Sequence, residues 1–118
     1  MLAKDSTGRS VQVLHPLDGG CQNIAPAAGT AARNATPFKS FTVSIGVRVR
    51  SVERVRVKLG DDTVAAGATD LRLSFDDGWI YLSLEGKNAT STEKAKATHL
   101  SVLAGAGLPA DVDVQEFN

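Results

Sequence analysis

A chain of 118 residues, 42% apolar and 22% charged, has the size and composition of one globular domain, which excludes two large domains and wholesale disorder. Thirteen Lys and Arg balance thirteen Asp and Glu, so the basic excess of a general nucleic-acid binder is absent. A lone Cys21 closes no intrachain disulfide and builds no zinc site, so packing must hold the fold.

No apolar run reaches the roughly 18 residues of a membrane span, and the opening MLAKDSTGRS lacks the apolar core of a signal peptide. A soluble chain made in the cytoplasm without export, with no membrane partner, is expected. Residues 11–14, VQVL, read as a short strand, after which His15-Pro16 and Gly19-Gly20 break regular structure. Residues 25–37, APAAGTAARNATP, hold little that could anchor a core. Residues 1–39 are therefore expected to form an N-terminal strand and an extended arm that orders on a partner, and residues 40–118 a β-sandwich domain. The sequons at Asn34 and Asn88 read as chance matches in an unexported chain.

From Phe41 the period is two. Phe41, Val43, Ile45, Val47 and Val49 alternate with polar residues and glycine, and Val55, Val57 and Leu59 repeat the pattern. A turn at 51–53 would pair these runs as a hairpin, Val49 beside Val55 and Val47 beside Val57. Asp77-Gly78 suits a two-residue turn and predicts a second hairpin, pairing Phe75 with Ile80, Leu73 with Leu82 and Leu71 with Leu84. Strands follow at 99–104, with Leu100 and Val102 inward, and at 112–116, with Val112 and Val114 inward. Residues 92–98 read as a helical turn or an irregular edge. No helical period is sustained, so the fold class is all-β, an antiparallel β-sandwich or jelly roll with an extended N-terminal arm.

Catalytic chemistry is thin. His15 and His99 are the only histidines, without a nucleophile-elbow, zincin or Walker motif around them. AGAGLP at 104–109 reads as a loop, and Asp61-Asp62 and Asp76-Asp77 read as turn residues before they read as calcium ligands. No catalytic residue, metal centre or cofactor is expected.

Two surface faces stand out. The first hairpin would line up Arg48, Arg50, Arg54, Arg56 and Lys58 in one row of opposed cations. Such a row calls for carboxylates, from Asp111, Asp113 and Glu116 or from a partner protein, with nucleic acid the weaker fit. The second hairpin would turn Trp79 and Tyr81 outward beside Arg72, the residue types enriched in interface hot spots. These three form the expected oligomer interface, and the basic row the expected partner-binding surface.

The order VQVL, a small-residue linker, FTVSIGVRVR, RVRVKLGDDTVAAGA, an Asp-Gly hairpin, then THLSVL and VDVQEF resembles small bacteriophage capsid decoration, or cement, proteins. The resemblance implies a protein on the virion surface, a homo-oligomer, often a trimer, bridging major capsid protein subunits. It carries no catalytic residues. A head-tail connector or tail component is the alternative in the same setting, and a carbohydrate-binding module stacking sugars on Trp79 and Tyr81 is the alternative from another class.

Overall fold

Period-two alternation gives a segment one apolar face and one wet face, and sheets built from such segments bury their apolar faces against each other. The computed structural model describes residues 15–88 and 95–118, together with the backbone of residues 2–4 and 10–12. Its strands are β1 (Leu2–Lys4), β2 (Ser10–Gln12), β3 (Pro16–Ile24), β4 (Ala31–Arg33), β5 (Ser44–Val49), β6 (Val55–Gly60), β7 (Leu71–Leu73), β8 (Trp79–Ser83), β9 (His99–Ala104) and β10 (Val112–Phe117). One four-stranded sheet has the order β3-β10-β5-β8 and the other β4-β9-β6-β7, while β1 and β2 pair in a separate two-stranded sheet. Every pairing is antiparallel. The fold is an all-β antiparallel sandwich.

Its core joins Ile45, Val47 and Val49 of β5 and Val112 and Val114 of β10 to Val55 and Val57 of β6 and Leu100 and Val102 of β9. All nine are at most 3% exposed, and each such side chain contributes about 1.5–3 kcal/mol through its burial. Ile80 and Leu82 of β8 pack against this cluster from the edge.

Four local expectations are corrected. The runs at 41–49 and 54–59 form no hairpin: β5 pairs with β10 and β8, and β6 with β9 and β7. Their valine rows meet across the sandwich instead of side by side, which buries the same residues. The Asp77-Gly78 hairpin is likewise absent, since β7 and β8 belong to different sheets. A 3-10 turn at Phe75–Asp77 makes the crossing. The Asp77 carboxylate accepts a hydrogen bond from Ser74 N at 2.8 Å, and Gly78 supplies the φ of 64° that ends the turn. Leu73 and Leu84 are buried as expected, but Phe75 and Leu71 face solvent.

The third correction concerns the arm. From Pro16 onward the chain lies in the sandwich: β3 runs through Gly19 and Gly20 beside β10, and β4 edges the other sheet beside β9. Gly29 N bonds Gly105 O, Ala104 N bonds Thr30 O, Ala110 N bonds Pro26 O, and Phe38 N bonds Thr98 O, all within 3.0 Å. Backbone groups anchor this segment, so its small side chains are no sign of freedom. Asn34 is 3% exposed; its carbonyl accepts from Leu100 N at 2.8 Å and its amide donates to Thr36 O at 2.7 Å, a structural joint rather than a glycan acceptor. Residues 13–14 of VQVL and 92–94 lie outside the described residues.

Fourth, the alternation does not extend back to Phe41. Strand β5 begins at Ser44, Phe41 and Val43 are exposed, and Thr42 is buried with its hydroxyl donating to Glu116.

Candidate functional site

Residues two apart on a strand share a face, so the cross-strand register assigns the outward surface of β3-β10-β5-β8 row by row. Asn23, Asp113, Arg48 and Trp79 form one row across the four strands, and Cys21, Gln115, Gly46 and Tyr81 the next. Pro16, Phe117, Ser44 and Ser83 follow.

The first row is a charge ladder ending on an aromatic ring. Oδ2 of Asp113 lies 3.3 Å from Nη2 of Arg48 and 3.3 Å from Nη1 of Arg50, while Asn23 Nδ2 donates to Oδ1 at 3.1 Å. The Arg48 guanidinium stands 4.9 Å above the Trp79 ring, within cation-π range. In the second row Gly46 leaves a gap that three rings fill. A Cβ at this position would lie 3.1 Å from Trp79 and 3.2 Å from both Phe117 and Tyr81. Tyr81 meets Phe117 edge to face, with centroids 5.6 Å apart. A groove of about 360 Å³ opens beside this cluster, with Pro16, Cys21 and Gln115 along its other side.

Burial raises the Asp113 carboxyl, but hydrogen bonds from Asn23 and Arg48 and the charges of Arg50 and Arg48 outweigh it and hold the group below the ordinary aspartate value of 3.8. A carboxylate depressed in the folded state adds stability that is present in full above its unfolded value and is lost as pH falls through the folded one. Thermal denaturation across the acid range should therefore show a step below about pH 4 that Asp113→Asn removes. An identical acid profile in that variant would assign the step to other carboxylates.

The five cations of the expected basic row do not share a face. Arg48 and Arg50 belong to the ladder just described, whereas Arg56 and Lys58 lie on β6 of the other sheet, with Arg54 immediately before them. The opposed pairs expected at 48/56 and 50/54 are absent because β5 and β6 are not neighbours. Of the carboxylates named as compensators, Asp113 neutralises Arg48 and Arg50, Asp111 accepts from Asn23, and Glu116 is buried on Lys39 and Thr42. Arg72 is also displaced from its expected company: it faces Arg56 in the β6–β7 register, on the sheet opposite Trp79 and Tyr81.

Trp79 and Tyr81 stand outward as the strand parity predicts, 38% and 53% exposed. Gly46, Asn23, Gln115 and Phe117 were not legible as members of their site. The alternation in VDVQEF marks Asp113, Gln115 and Phe117 as one outward face, but the neighbour of that face is decided by strand order. His99 is buried with Nδ1 2.9 Å from Thr98 Oγ1, and Asp61 binds the backbone and hydroxyl of Thr63 in its own turn. Among the described residues no three His, Cys, Asp or Glu side chains are grouped to hold a metal ion, and no helix is long and apolar enough to cross a membrane. Comparison with protein-family models, curated proteins and solved structures gives no match.

Proposed function

We propose that this chain is a structural virion protein, a capsid decoration protein that self-associates as a homo-oligomer, a trimer, and binds the major capsid protein shell. The observation that carries this reading is the contrast between the sandwich's two outward faces. One presents an aromatic cluster whose rings are already positioned by Arg48, Gly46 and each other. The other presents Arg54, Arg56, Lys58 and Arg72, with no ion pair to any of them among the described residues. Preorganised aromatic side chains make good interface anchors because little conformational freedom remains to be lost on binding. A body with one aromatic face and one cationic face back to back suits a bridge between protein surfaces.

A sugar-stacking platform fits less well. The guanidinium of Arg48 already occupies one face of the Trp79 ring, and Tyr81 and Phe117 stand at 66° rather than forming a flat shelf. A head-tail connector or tail component would use the same two faces at a different place in the particle.

Co-sedimentation of the full chain with empty capsid shells of the encoding phage, paired with light scattering of the free protein, tests the reading. The chain is expected to pellet with shells and to scatter as three copies. The double change Trp79→Ala with Tyr81→Ala should leave a folded chain of lower mass that binds shells at least about tenfold more weakly. A monomer that remains in the supernatant would overturn the proposal, and binding only to tail fractions would move it to the connector.

A further inference from the structure

Arginines at 54, 56 and 72 converge on one depression of the sheet β4-β9-β6-β7. Arg56 and Arg72 are opposed in the β6–β7 register, and Arg54, two residues before Arg56, emerges on the same face. Like charges set directly opposite one another destabilise a sheet, so the arrangement is not explained by folding. The chain neutralises Arg48 and Arg50 with Asp113 but, among the described residues, brings no carboxylate within ion-pair distance of these three. Arg56 is held by a hydrogen bond from Nη1 to Asp70 O at 2.9 Å, and Arg54 and Arg72 are exposed. Three acids stand nearby without an ion pair to these arginines. Asp77, which accepts from Ser74 N, lines the recess, Glu53 lines the depression beside Gly105, and Asp70 accepts from Gly67 N at 2.6 Å.

Loops raise walls around these arginines. The 61–70 connection folds over the sheet, with Val64 1% exposed, Ala66 N bonded to Ser101 Oγ at 2.9 Å and Val64 O bonded by Arg33 at 3.0 Å. The turn at 27–30 and the loop after β9 close the other side through the Gly29 N to Gly105 O bond. Between them lies an open depression of about 450 Å³ where outward Leu103 meets Ala68, Ala106 and Glu53, and a polar recess of about 200 Å³ continues from it past Arg54 and Arg72 to Ser74 and Asp77.

We infer that this depression is a carboxylate-binding site that takes the Asp and Glu side chains of an acidic segment on a partner protein. A guanidinium presents a planar fork of donors that matches a carboxylate, and three forks around the outward Leu103 suit charged heads carried on short aliphatic stems. Nucleic acid is the poorer occupant. The zero net charge offers no long-range attraction to a polyanion, and the arginines gather in one depression instead of tracking a backbone. The inference deepens the capsid reading, and rests on it, only in naming what the shell would present.

Isothermal titration calorimetry of the full chain at low salt tests it, using a short Asp/Glu peptide, its Asn/Gln counterpart, inorganic phosphate and a single-stranded oligonucleotide. The acidic peptide is expected to bind and its amide counterpart not. Arg54→Gln and Arg72→Gln, both at exposed positions, should each weaken the peptide at least about tenfold, and added salt should weaken it further. Equal binding of the two peptides, or unchanged affinity in both variants, overturns the site. Phosphate binding as tightly as the peptide reduces it to a lone-oxyanion site, and tighter binding of the oligonucleotide reassigns it to nucleic acid; either result overturns the assignment. The two readings separate cleanly: loss of peptide binding with shell binding intact removes only this site, and peptide binding without shell binding removes only the capsid reading.

Discussion

Replacing Glu116 with Ala is expected to lower stability by about 3 kcal/mol, roughly 10 °C in melting temperature. The strand parity of β10 sends this side chain inward with Val112 and Val114, opposite Ile45 in a row that continues to Leu82. A carboxylate 2% exposed in such a place must be satisfied by hydrogen bonds. Oε1 accepts from Lys39 N and from the Thr42 hydroxyl, both at 2.7 Å, and Lys39 Nζ stands 3.8 Å from Oε2. Space is provided by a register slip between Gln115 and Phe117 where β10 meets β3, and by Gly20, whose Cβ would come within 3.1 Å of the Glu116 Cβ. Truncation leaves the fully buried Thr42 hydroxyl and the Lys39 amide without their acceptor, and each orphaned group costs about 1–3 kcal/mol. Glu116→Gln keeps the accepting oxygen and should lose only about 1 kcal/mol. Urea denaturation of both variants checks the pair, and equal losses would show that the charge, and not the acceptor, matters.

The second large effect is expected at Gly46, where Val should destabilise the domain by about 2 kcal/mol and disable the aromatic face. A β-branched residue normally favours a strand, so the sign depends on whether the neighbours can yield. Three rings stand within 3.2 Å of the added Cβ, with Trp79 beneath Arg48 and Tyr81 braced on Phe117. Displacing one disturbs the others. Trp79 emission should shift to the red as the ring moves into water, and self-association should fall with it. Unchanged emission and mass would mean that the cluster adapts and that glycine is dispensable there.

The alternation over 44–49, 55–59, 99–104 and 112–116 was sufficient by itself to determine an all-β protein and most of its inward residues, because a period of two permits only one apolar face. Strand parity likewise turned Trp79 and Tyr81 outward. Which strands are neighbours was decided only in three dimensions. A valine row is buried equally well by a partner beside it or by a partner in the facing sheet, so Val49 and Val55 carry no mark of their choice, and the charges on their reverse sides inherit that ambiguity. Arg48 therefore finds Asp113 and Trp79 while Arg56 finds Arg72 on the opposite surface. The segment 25–38 escaped for a different reason: its attachment runs through backbone amides and carbonyls, which every residue carries and composition cannot reveal. Gly46 and Glu116, unremarkable in a strand pattern, acquire their roles only when β10 lies beside β5, since that contact brings three rings over one and two donors onto the other.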